Sequence, residues 1–192
     1  VGAMGTVSAP PDLAVVDVAV ESSAGSADAA REAVAENVSE MRDGLTAVNV
    51  SDDQIRTTHF AIQTERDDNG TVTYRAVQGF ELRVAVDDAG SVVDTAVSSG
   101  ATRVDGVRFT LAEETSRELR NDALETALDN ARTDADVIAS DTGIEVQAVR
   151  SVETADGGSI PVFEDAAGRD GTTFDPGPVT VTAHVTVTYE AR

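Results

Sequence analysis

Polar and apolar residues along this chain follow two rhythms. Val179, Val181, Ala183, Val185, Val187 and Tyr189 alternate with Thr180, Thr182, His184, Thr186, Thr188 and Glu190, the period of a strand with one buried and one wet face. Val34, Val38, Met41, Leu45 and Val48 recur at steps of four, three, four and three, which draws one apolar stripe down a helix. Ser26 suits the N-cap of that helix, and Asn49 suits the left-handed residue that ends it. Residues 6–20 read as a strand of mixed alternation, entered through Pro10 and Pro11, and residues 1–5 carry no pattern.

Further along, residues 55–66 and 71–86 flank Asp67-Asp68-Asn69-Gly70. Such a turn between two strand-like runs predicts a β-hairpin, with Phe80, Leu82, Val84 and Val86 on one face. A short helix over 87–98 and a strand carrying Val104, Val107, Phe109 and Leu111 follow. A long helix is expected over 113–140, with Glu113 and Glu114 favourably placed in its first turn and Gly143 closing it. Leu124, Ala127, Leu128, Ala131, Ala135 and Ile138 should line one side, and the alanines at 131, 135 and 139 imply close packing on a sheet. Residues 144–152 read as a strand. Residues 155–178, rich in Gly, Asp and Pro, read as a long loop, with 156–177 expected to be the most mobile internal segment.

The resulting order is β-α-β-β-α-β-α-β, a loop, then β. It predicts an α+β protein of antiparallel sheets with helices packed on one face, including a ferredoxin-like β-α-β-α-β subdomain. The expected division is a discontinuous first subdomain, 6–73 plus 151–192, with the ferredoxin-like subdomain inserted at 74–150.

Composition narrows the function. Among 192 residues, 35 are Asp or Glu and 14 are basic, for a formal net charge of −21. So negative a surface repels phosphate backbones and anionic lipid, which argues against nucleic-acid and membrane-surface partners. All 14 basic residues are arginine; lysine is absent. Molar salt shortens the Debye length to about 3 Å and screens such repulsion, so adaptation to a saline medium is expected. No run approaches the roughly eighteen apolar residues of a membrane-spanning helix, and no export signal is visible. The absence of cysteine removes disulfides, thiolate nucleophiles and Cys-ligated metals.

Several pieces resemble the SIMPL-domain family in family order. They are Val7-Ser8-Ala9-Pro10-Pro11-Asp12-Leu13-Ala14, then Tyr74-Arg75-Ala76, then Ala96-Val97 with Gly100-Ala101 and Val104. Asn130-Ala131-Arg132 with Ala135 follows, and then Pro176-Gly177-Pro178-Val179-Thr180-Val181 with Val185-Thr186-Val187-Thr188-Tyr189-Glu190. The chain thus resembles an acidic, haloarchaeal-type member. That family includes periplasmic immunogenic proteins linked to oxidative-stress defence and a mammalian adaptor in kinase signalling. The resemblance implies an α+β fold, an extracytoplasmic or cell-surface location and, from ring-forming members, a homo-oligomer. It brings no catalytic residues. Three departures stand out: the missing export signal, a shortened strand before Pro10, and an acidic rather than Pro/Met-rich loop at 155–178.

Candidate chemistry is sparse. His59 and His184 are the two imidazoles, and neither has the His-x-x-x-His or Glu-x-x-His spacing of a metal site. Asp67-Asp68-Asn69-Gly70 and the acidic run 165–175 lack the alternate-residue spacing of a calcium loop, although the run could hold a cation weakly. Gly157-Gly158-Ser159 leads to no helix and so is no phosphate loop. Carboxylate pairs mean little where there are 35 carboxylates. No catalytic, cofactor-binding or metal-binding residue is therefore expected, and the chain reads as a non-enzyme without cofactors. The triplets at Asn37, Asn49 and Asn69 fit glycosylation acceptors, weakened at Asn37 by its place in a helix. Thr180, Thr182, Thr186 and Thr188 form an uncharged row through which copies could approach. The expected function is that of a self-assembling structural or interaction protein of the cell envelope or stress response. The alternative is a small-molecule or ion-binding stress protein that uses a cleft between subdomains.

Overall fold

A computed structural model describes residues 1–66, 69–160, 162–164 and 172–192. The α+β expectation holds: among the described residues three α-helices accompany a three-stranded and a five-stranded sheet. The chain divides into two compact units, one of residues 1–11, 110–162 and 177–192, the other of 12–109 and 163–176. This is not the expected division. Strand β4 (Val72–Val84) pairs with β2 (Leu13–Ala24) on one side and with β3 (Ile55–Arg66) on the other. A boundary after residue 73 would cut the middle of that sheet.

In the second unit, β2 is followed by α1 (Ala27–Ala47), β3, β4, α2 (Ala89–Ser98) and β5 (Arg103–Thr110). The sheet order is β3-β4-β2-β5, with a short β7 (Val162–Glu164) beyond β5. Two βα crossovers interleaved in this way make the ferredoxin-like split βαβ pattern. It therefore lies at 13–110 rather than 74–150. Ser26 caps α1 through its side chain, which accepts from the Ala29 amide at 3.2 Å, and Asn49 is left-handed at φ 64°. Ala30, Val34, Met41 and Leu45 are buried with Val16, Val18, Val20, Phe80 and Leu82 in one core. Val48 is 38% exposed, and Val50 takes the place expected for it in the core. Phe174 packs on Phe109, ring centroids 5.3 Å apart, and Asp94 holds the same segment by accepting from the Thr172 amide at 3.1 Å and hydroxyl at 2.8 Å.

The first unit is built on β8 (Val179–Ala191), which lies between β1 (Gly2–Ala9) and β6 (Val146–Ile160), antiparallel to both. Two expectations fail here. Residues 2–5 are strand, because β8 supplies their partners. The expected loop is strand through Ile160: β6 follows β8 to Thr180 and absorbs Gly157 and Gly158 at a register break between Asp156 and Ser159, a usual place for glycine in a strand. The rest of the segment expected to be mobile includes residues 161 and 165–171, which lie outside the described residues.

Helix α3 (Glu113–Thr142) covers β1 and β8 and closes at Gly143, φ 72°. Its buried row is Ala123, Ala127, Ala131, Ala135 and Ala139. Leu128 and Ile138, expected inward, are 39% and 51% exposed. The i±4 row is inclined to the helix axis, so a helix lying across strands at small-residue contact buries every fourth residue, not the steeper mixed stripe.

Candidate functional site

The two faces of β8 differ sharply. Val179, Val181, Ala183, Val185 and Val187 are buried towards α3. The opposite face carries Thr180, Thr182, His184, Thr186 and Thr188, the last three exposed. Register adds Ser8, Thr6 and Met4 of β1, which stand opposite Thr180, Thr182 and His184. The Ser8 and Thr180 hydroxyls are 3.0 Å apart, and Met4 is 52% exposed. Along β6, Ala155 faces His184, Ser151 faces Thr188, and Glu153 faces Thr186, so that a carboxylate borders the threonines on this side. Threonine favours strands, and the strict alternation of β8 keeps every hydroxyl on one side. The result is an uncharged surface two strands wide in a protein of net charge −21. The threonine row expected from sequence is thus continued by residues of β1 that the alternation of β8 alone does not reveal.

The five-stranded sheet has an ionic outer face. Arg75 donates to Glu21 at 2.7 Å and to Glu65 at 3.0 Å, while Arg103 donates to Glu21 and to Asp105. Bonds to Glu21 and Glu65 raise the Arg75 pKa, and the bond to Asp105 raises that of Arg103. Arg108 lies 3.9 Å from Asp17 and 3.7 Å from Glu81. Burial lifts the Asp17 carboxyl above its usual range; Arg108 pulls it back, and Glu81 and Asp105 push it up. These contacts neutralise carboxylates that would otherwise repel across adjacent strands.

His59 lies on that face with its ring across the backbone at Gly79, and His184 lies in the other unit. The structure does not bring a third metal-ligating group to either: among the described residues, no group of three His, Cys, Asp or Glu side chains could hold a metal ion. Asp67 and Asp68, and the acidic run up to Gly171, lie outside the described residues; Gly70 has the positive φ of 82° expected of the turn. Asn37 is half-buried in α1, whereas Asn49 and Asn69 are exposed. In the first unit a groove of about 260 Å³ runs between α3 and the sheet, lined by Val1, Ile138, Ile144, Val146 and Tyr189 among others. Sequence reasoning missed the exposed apolar pair Phe60, 49%, and Ile62, 38%. Their spacing by two was the available signal.

No helix among the described residues is long and apolar enough to cross a membrane. Residues 1–189 match the model of the family described as SIMPL, protein of unknown function (DUF541). No curated protein matches the chain.

Proposed function

The chain belongs to the SIMPL family, and on that premise we propose that it is a non-enzymatic protein that works by assembling with copies of itself. We place it in the cell envelope or stress response of an organism that lives in concentrated salt, following the family resemblance and the lysine-free, acidic composition. The observation that carries self-association is the threonine face of β8 with Thr6, Ser8 and Met4 beside it. On a molecule of net charge −21, two copies meet at lower electrostatic cost across the uncharged Thr, Ser and Met side chains of β8 and β1, although Glu153 of β6 stands beside Thr186. That face also offers hydroxyls that can bond across an interface.

Light scattering coupled to size exclusion in molar KCl tests this reading. Wild type should elute above the 19.9 kDa of one chain, and Thr182→Asp with Thr186→Asp should reduce its mass. A monomer at every concentration ends the proposal. Fractionation of the native host tests the envelope location, and recovery solely from the cytosol would end that part.

A further inference from the structure

We infer that β3 is a self-pairing edge, at which two copies join antiparallel about a two-fold axis through Ala61. This deepens the self-association reading and rests on it. Strand β3 ends the five-stranded sheet, and among the described residues no strand pairs with its outer side. It is 12 residues long and exposed nearly throughout, IRTTHFAIQTER, with neither the proline nor the lysine that commonly blunts an edge.

The case for a second copy lies in the register. A bulge between Thr57 and His59 leaves β4 continuous, so Arg56, opposite Glu81, shares a face with Glu65, opposite Thr73. Without the extra residue, Arg56 and Glu65 would lie on opposite faces, since side chains alternate. With Ala61 on the axis, Phe60 of each copy meets Ile62 of the other on the helix-bearing face. On the ionic face, once the bulge is counted, Arg56 of each copy meets Glu65 of the other. Both pairs form twice, the self-complementarity that a two-fold interface requires. The strand carries two arginines and one glutamate, a net +1 with His59 neutral, so copies of a −21 chain meet along a non-acidic line. Cross-strand apolar and opposite-charge pairs of this kind are the stabilising unit of a sheet, and the edge amides and carbonyls gain partners.

The test uses the absence of native cysteine. Ala61→Cys sets two thiols face to face across the axis, within reach of a disulfide after small adjustment. Under mild oxidation in molar KCl most of this variant should become covalent dimer, while Ser91→Cys, exposed on α2, stays monomeric on denaturing gels. Phe60→Asp should give a twofold drop in native mass with an unchanged far-ultraviolet circular dichroism spectrum. An assembled wild type in which Ala61→Cys links no faster than Ser91→Cys ends the pairing and leaves self-association standing; an edge reserved for another protein's strand gives this result. A wild type that is monomeric throughout ends both.

Discussion

A Cβ placed on Gly5 would lie 2.0 Å from the carbonyl oxygen of Ala123. Strand β1 and helix α3 therefore touch backbone to backbone, and the Asn130 side chain fastens the contact by donating to the Met4 carbonyl at 2.9 Å. Gly5→Ala should destabilise the protein by about 1–3 kcal/mol, because neither backbone can step aside without disturbing its own hydrogen bonds. Gly2→Ala, whose nearest neighbour is the Val185 carbonyl at 4.0 Å, should stay within about 0.5 kcal/mol. Urea unfolding of both variants decides it, and equal costs would show that the close approach is not what matters at Gly5.

Asp17 gives a pH test with a definite sign. Its folded pKa lies above the ordinary 3.8, so the folded chain holds that proton more tightly than the unfolded one. Ionised Asp17 therefore costs stability at neutral pH, and the cost disappears as pH falls through the folded pKa. Asp17→Asn should be more stable than wild type at pH 7, by under about 1 kcal/mol because solvent screens a partly exposed carboxylate. The gain should vanish near pH 3. A gain of the same size at both pH values would assign it to packing instead.

The Thr172 amide, bonded to Asp94, should exchange slowly with solvent although it lies outside any helix or strand. Asp94→Ala should speed that exchange by about tenfold, the equivalent of one hydrogen bond to a charged acceptor. Hydrogen exchange read at single residues measures this. A rate unchanged by the substitution would mean that the packing of Phe174 on Phe109 alone holds the segment.

Salt should act in two opposite ways. The melting temperature should fall as KCl is diluted from molar to tens of millimolar, because net repulsion among carboxylates is then unscreened. Glu21→Gln removes the negative charge shared by Arg75 and Arg103 and turns one of the two accepting oxygens into a donor, and should cost about 1 kcal/mol in dilute salt and less in molar salt. Circular dichroism melts of both proteins across a salt series provide the comparison. A wild-type midpoint that does not move with salt would refute the halophilic reading.

Elements with their own rhythm were legible in the sequence: α1 with Ser26 and Asn49 at its ends, the hairpin of β3 and β4, α3 as far as Gly143, and the alternation of β8. The misreadings share a cause. Residues 2–5 and 153–160 become strand because β8 lies beside them, and no local pattern announces a partner so distant along the chain. The inward row of α3 was misassigned at Leu128 and Ile138 because apolar size was read where backbone proximity governs: Gly5 leaves room for alanine and nothing larger. The domain boundary failed because β4 reads as one strand whether it begins a unit or lies at the centre of one. The threonine face was visible on β8 itself, whereas Met4, Thr6 and Ser8 joined it only through register.

The place of β8 also carries a consequence for synthesis. Strands β2, β3, β4 and β5, with both helices between them, lie within residues 13–110 and can find one another while the ribosome is still extending the chain. β1 cannot: Gly2 pairs with Thr186 and Ala9 with Val179, so β1 waits for a strand made some 170 residues after it. During that interval its amides and carbonyls, and the valines of β8 once made, are open to strands of neighbouring nascent chains. Exchange of β1 between copies is the error this arrangement invites. It would be expected to depend on the rate of chain elongation more than on the stability of the finished fold.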